Sequence, residues 1–199
     1  MNFTKSIAVS LTGLLNRYTK RDGIALTKMT LGMESLVINV SKMLVIYLLA
    51  ITLGIVWQTF VTHFAFVVIK RYSFGLHALS SLVCTFAACA MFVAVPWVLR
   101  GAGLGNFGVF VIFSGVILAM YFYAPADTKA RPLIGQGLRS GLKKKAVLSA
   151  VLLMIVTLIV PDEAVKLLLT VGAVCQTIMV LPLTYKILKR SERNYEKHE

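Results

Sequence analysis

Residues 44–69 form a run of 26 positions without a formal charge. As one helix the run would reach ~39 Å, more than a single hydrocarbon core needs. Further apolar runs follow at 78–99, 106–124, 146–160 and 164–183. With 58% of 199 residues hydrophobic and a mean hydropathy of +0.81, the chain has more apolar surface than a soluble domain of this length can use. Its solvent is therefore a bilayer. The expected fold class is all-α: a polytopic membrane helical bundle of about six crossings or re-entrant helices, filling residues 1–199 as one integral membrane domain. Pro96 and Pro182 should kink or end their helices.

The N-terminal segment, 2–20, reads as an amphipathic helix. Phe3, Ile7, Leu11, Leu14, Leu15 and Tyr18 recur at helical spacing, with Lys5, Asn16, Arg17 and Lys20 elsewhere on its surface. Such a helix lies in the membrane interface. It has no apolar core long enough for a cleavable signal. The bundle then occupies 24–185, and the charged tail from 186 to 199 lies in the cytoplasm. Residues 24–42 carry Lys28, Glu34 and Lys42 among apolar positions, and Thr27, Thr30, Glu34 and Ser41 fall near one stripe. That stripe suits a helix facing protein or a wet cavity.

Charge sets orientation. The chain has 21 Lys+Arg against 8 Asp+Glu, a net +13. The loop 127–145 holds Lys129, Arg131, Arg139, Lys143, Lys144 and Lys145, so it should be cytoplasmic. The turn at 161–163 has no basic residue and should be outside. Counting backwards places 100–105 outside and 70–77 inside. Residues 24–69 then cross an even number of times: either 24–42 pairs with 44–69 as a hairpin, the favoured arrangement, or 44–69, whose uniformity Gly54 and His63 interrupt, bends back as a re-entrant element.

Three cysteines in apolar runs, Cys84, Cys89 and Cys175, make neither a disulfide framework nor a zinc site. Cys89 and Cys175 read as inert small hydrophobes, His63 as a packed polar residue and His198 as tail. Cys84 differs, because His77 stands seven residues before it in the polar break between two apolar runs. On the cytoplasmic side a thiol stays reduced, and a neighbouring imidazole can activate it. In an unbroken helix, positions 77 and 84 lie ~10 Å apart along the axis. His77 must then belong to a non-helical segment folded over the helix start, and Gly75 supplies the backbone freedom. Two carboxylates can orient the imidazole. Asp127 sits in the proline-bounded segment 123–132, and Glu34 in the apolar segment 24–42. Asp127 can equally cap a turn or pair with Lys129 or Arg131, and Glu34 can pair with Lys28 or Lys42.

Four features together resemble the accessory gene regulator protein B family. They are Gly75-Leu76-His77-Ala78, the His77-to-Cys84 spacing, Tyr123-Ala124-Pro125-Ala126-Asp127-Thr128-Lys129-Ala130-Arg131-Pro132, and Leu31-Gly32-Met33-Glu34. Leu79 departs from members that carry Pro there. The resemblance covers nearly the whole chain. It implies a membrane cysteine peptidase that processes the precursor of a cyclic autoinducing peptide in Gram-positive quorum sensing, with His77 and Cys84 as catalytic pair. Backbone N–H groups near Cys84, Ser80 or Ser81 would serve the oxyanion, and Gly75 would shape the loop. The implied partners are a precursor with an acidic C-terminal tail, the lipid bilayer and a second copy of the chain as a homodimer. Lys129, Arg131, Arg139, Lys143, Lys144 and Lys145 would hold the tail. No cofactor, metal or nucleic-acid partner is expected. The rival class is non-catalytic, a small transporter or a membrane scaffold.

Overall fold

The computed structural model describes residues 3–75, 81–127, 133 and 135–188. Among them there is no strand, only an isolated parallel bridge between Phe74 and Ala126. The helices group into two compact units, Met1–Leu49 and Ala50–Glu199.

The first unit holds α1, Phe3–Thr19, and most of α2, Gly23–Thr52. Ala8 and Thr12 are the buried positions of α1. Leu11, Leu14, Leu15 and Tyr18 of the apolar stripe are exposed, Tyr18 at 88%. The end of α1 is set by Asn16, whose side chain accepts from Arg21 N–H at 2.8 Å and donates to Arg21 C=O at 3.0 Å. Lys20 can then turn through a left-handed φ of +47°. On α2, Thr27, Thr30 and Ser41 donate to carbonyls four residues back, at 3.1, 3.0 and 2.8 Å. The three hydroxyls of the polar stripe thus find acceptors within their own helix.

The helix α2 runs straight through the expected break near residue 43 and ends at a turn over 53–55, where Gly54 takes φ +66°. The apolar run 44–69 is therefore not one helix. It is the end of α2 followed by α3, Val56–Ser73.

In the second unit, α3 and α6 (Asn106–Tyr123) each pack against α7 (Gln136–Ile159) and α8 (Glu163–Val180). The core takes Val61, Ala65 and Ile69 from α3, and Val109, Phe113, Val116 and Met120 from α6. Ala146, Ala150 and Leu153 of α7 and Leu169, Ala173 and Val180 of α8 complete it. Along α3, α6 and α7 these are steps of three and four, one face of each helix; on α8 the adjacent Leu168 also joins the core. Helices α3 and α8 approach closely at Gly172, where an added Cβ would overlap the Thr62 carbonyl and come within 2.7 Å of Ala65 Cβ.

Two ends of this unit are defined by contacts. At one, Leu104 N–H donates to Glu163 C=O at 3.0 Å, joining the 99–105 loop to the start of α8. At the other, Gly75 N–H donates to Ala126 C=O at 3.1 Å, joining the ends of α3 and α6. Thus 100–105 shares an end with 161–163, and 70–75 shares the opposite end with 124–127, as the loop charges require.

Between α3 and α6 run α4, Ser81–Cys89, a π-helical turn at Ala90–Ala94, and α5, Val95–Val98. The interruption expected at Pro96 is this π-helical turn just before it. Pro96 has no N–H to give, and its ring crowds the preceding turn; one extra residue per turn just before it relieves the conflict. Pro182 ends α8: Leu181 is extended at φ −64°, ψ 134°, and α9, Pro182–Ile187, starts afresh.

The basic loop is also shorter than its charge suggested. Helix α7 begins at Gln136, so Arg139, Lys143, Lys144 and Lys145 are helical. Lys and Arg are good helix formers, and a helix can continue past the apolar boundary into water. Outside the core, Phe107, Phe110, Tyr121 and Phe122 of α6 are exposed. Among the described residues three helices, Gly23–Thr52, Asn106–Tyr123 and Glu163–Val180, are long and apolar enough to cross a membrane. An apolar exterior of this kind fits a lipid solvent.

Candidate active site

At the end of α3 the chain leaves the helix through two residues of positive φ, Phe74 at +57° and Gly75 at +111°. Lys70 and Arg71 occupy the last helical turn, where cations suit the carbonyl end. Phe74 N–H closes that turn on Lys70 C=O at 3.1 Å.

A short two-arm pairing follows. Ala126 N–H donates to Ser73 C=O at 2.9 Å, and Gly75 N–H donates to Ala126 C=O at 3.1 Å. One arm is 73–75, two residues before His77. The other is 126–127, reached from α6 through Ala124 and a cis peptide to Pro125. Asp127, predicted as an orienting carboxylate, is 5% exposed, and its backbone carbonyl accepts from Tyr185 Oη at 2.9 Å. Gly75 offers shape rather than a donor, since its N–H is committed to Ala126.

Helix α8 backs the first arm. Gln176 Nε2 donates to Ser73 Oγ at 2.8 Å and to Phe74 C=O at 2.6 Å. A Cβ at Gly75 would stand 2.9 Å from the Met179 carbonyl oxygen. Gln176, Ser73 and Tyr185 did not emerge from the sequence reading. The available signal was a lone amide in an apolar helix, since a polar group in such a segment needs a partner.

Beside the second arm opens a cleft of about 420 Å³. Tyr123, Pro125, Asp127 and Tyr185 line one part of it, and Arg139 and Lys143 another. Arg139 also donates to Leu133 C=O at 3.1 Å, and Lys143 lies 4.7 Å over the Tyr121 ring. Lys145 lies 5.9 Å over Tyr72, and Lys144 is exposed.

Cys84 is a free, half-buried thiol three residues into the described start of α4. Cys89 is free and half-buried on the same helix; Cys175 is free and buried in α8. His63 packs its ring 4.7 Å from that of Phe92. Glu34 is half-buried on α2, within the first unit. His77, Ser80, Lys129, Arg131 and His198 lie outside the described residues, and so does the expected pairing of His77 with Cys84. Ser81 is the first residue of α4. Among the described residues no three His, Cys, Asp or Glu side chains gather as a metal-holding group.

The family model described as Accessory gene regulator B matches residues 4–180. The chain belongs to the Accessory gene regulator B family. It is 40% identical to an AgrB-like protein of Listeria innocua over 180 residues, 90% of this chain and 88% of that protein. A second AgrB-like protein, from Clostridium acetobutylicum, is 40% identical over 185 residues, 93% of this chain and 88% of that protein. Accessory gene regulator protein B of Staphylococcus haemolyticus is 33% identical over 173 residues, 86% of this chain and 90% of that protein. No solved structure matches. The family places this membrane-helical chain in an accessory gene regulator system.

Proposed function

We propose that this chain is a membrane-embedded cysteine endopeptidase that cuts the C-terminal tail from a quorum-sensing peptide precursor and leads the remainder into a ring. Family membership supports the substrate. The observation that carries the site is the Gly75–Ala126 pairing. It holds the segment entering His77 beside Asp127 and a basic cleft, with Cys84 at the start of the next helix. The end of the unit that carries these groups is taken as cytoplasmic, where the basic residues and a reduced thiol belong.

His77 takes the Cys84 proton, and the thiolate attacks a peptide carbonyl of the precursor. The C–N bond breaks. The proton passes from the imidazolium to the departing amine, and the N-terminal part stays as a thioester on Cys84. Asp127 orients the imidazole. A Cys or Ser side chain of the peptide then attacks the thioester, the ring closes as a thiolactone or lactone, and Cys84 is regenerated. The exchange keeps the acyl group activated, so no ATP is consumed. A site at the bilayer boundary excludes water from the acyl-enzyme. Arg139 and Lys143 in the cleft, with Lys129, Arg131, Lys144 and Lys145, hold the acidic tail. The working form is a homodimer.

The test is co-expression with the precursor, followed by mass spectrometry. The product is expected one water lighter than the linear fragment. Both Cys84→Ala and His77→Ala should abolish it while the protein still reaches the membrane. Continued processing by Cys84→Ala would overturn the peptidase; a linear product from the unaltered enzyme would reduce it to a hydrolase.

A further inference from the structure

Gln176 is 0% exposed on a helix whose other core-facing positions are mainly apolar or small. Its Nε2 makes two bonds, while its Oε1 is buried with no partner. Burying an amide with an unpaired acceptor is costly, and an apolar side chain of the same length would fill the space without that cost. A position that keeps the amide has a use for its donor. Both acceptors, Ser73 Oγ and Phe74 C=O, belong to the place where the chain leaves α3. Carbonyls at a helix end have no intrahelical partner, and an unpaired one lets the exit take many directions.

Three successive residues are held there from two sides. Ala126 accepts from Gly75 N–H and donates its own N–H to Ser73 C=O; Gln176 Nε2 donates to Phe74 C=O and Ser73 Oγ. The Met179 carbonyl backs Gly75 so closely that no side chain fits between them. The remaining freedom of the exit is small.

We infer that Gln176 is a positioning residue: through its amide, α8 sets the direction in which the chain leaves α3 toward the segment carrying His77. The inference rests on the reading that His77 serves Cys84. It gives α8 a role beyond packing, since this helix then carries the support of the general base. Positioning of this kind is worth a large factor in rate, because a misplacement of ~1 Å can cost on the order of 100-fold.

The test uses the full chain in lipid nanodiscs with its precursor. Gln176→Met keeps the length and removes the donor. The expected result is a fall in kcat on the order of 100-fold with KM nearly unchanged. Amide exchange at Gly75 and Ala126 should rise about tenfold, while mid-helix amides of α6 and α8 keep their protection. Ser73→Ala keeps the Phe74 bond and should cost only about threefold. Added to Gln176→Met it should cost little more, because the bond they share is already gone and only the Ser73 Oγ bond to Ile69 C=O at 3.0 Å is left to lose.

An unchanged kcat in Gln176→Met, or unchanged exchange at Gly75 and Ala126, overturns the inference. So does faster exchange throughout α3, α6 and α8, which would mark general loosening. If Gln176→Met fails to accumulate, Ser73→Ala decides, and full activity there overturns it. Cleavage by Cys84→Ala would sink the peptidase reading instead, and would leave the exchange result standing.

Discussion

The main-chain N–H of Gly75 donates to the carbonyl of Ala126 at 3.1 Å, joining chain segments that enter this end of the bundle from different helices. One is the exit of α3, and the other is the exit of α6. Sequence proximity carries the first toward His77 and the second into Asp127. A bond of this length and type is modest in isolation, net about 1 kcal/mol. On the proposed mechanism its importance is geometric, because it ties the segment that enters His77 to the one that carries Asp127.

Gly75→Ala tests that coupling. Alanine at φ +111° is strained, and its Cβ would meet the Met179 carbonyl at 2.9 Å. The expected loss is about 1–3 kcal/mol of stability, read as a lower Tm in nanodiscs. Cyclic product should fall more steeply than Tm would account for, while binding of a labelled precursor persists. Unaltered product would show that the exit of α3 tolerates a different path.

Tyr185→Phe tests the other arm. The hydroxyl donates to Asp127 C=O at 2.9 Å from a ring that is 2% exposed. Losing it should cost about 1–3 kcal/mol, since a buried carbonyl loses a donor. Tyr185→Ala should cost about 3–5 kcal/mol, because it also leaves a cavity. If processing by Tyr185→Phe drops in proportion to stability alone, Asp127 does not depend on this anchor for its placement.

Gly172→Val tests the seam on which both arms depend. The new side chain would collide with the Thr62 carbonyl and Ala65 Cβ and push α8 away from α3. Overpacking of this sort costs about 1–3 kcal/mol or more. Because Gln176 lies one helical turn further along α8, its bonds to Ser73 and Phe74 should lengthen as well. Thermal unfolding and amide exchange at Gly75 should therefore change together. Normal protection at Gly75 in a destabilised variant would separate the seam from the site.

How much of this was open to a reader of the sequence depends on what each feature leaves in the residue pattern. The helices Asn106–Tyr123 and Glu163–Val180 were legible because long apolar runs end at polar or proline boundaries. The turn at 53–55 left only the interruption at Gly54, since Leu53 and Ile55 differ little from the apolar residues around them. The start of α7 at Gln136 was hidden because Lys and Arg mark a loop by hydropathy yet favour a helix by propensity. The His77, Cys84 and Asp127 candidates came from residue type and family resemblance. The Gln176–Ser73 bond spans 103 positions and leaves no local periodicity, so only the folded chain reveals it.

Arg139 and Lys143 carry the last prediction, on recognition of the acidic tail. Both line the cleft beside Asp127, while Lys144 on the same helix is exposed. Charge contacts at a partly open cleft are each worth about 0.2–1 kcal/mol, so removing two should weaken precursor binding by roughly tenfold. Arg139→Gln with Lys143→Gln should raise KM by about that factor and leave kcat close to its original value. Lys144→Gln should have a smaller effect. Raising ionic strength from 0.05 to 0.5 M, values chosen to span roughly 14 to 4 Å of screening length, should weaken the unaltered enzyme and affect the double variant less. The measurement is precursor turnover across the salt series. Equal salt sensitivity in both proteins would mean that these two cations set the orientation of the chain and do not read the tail.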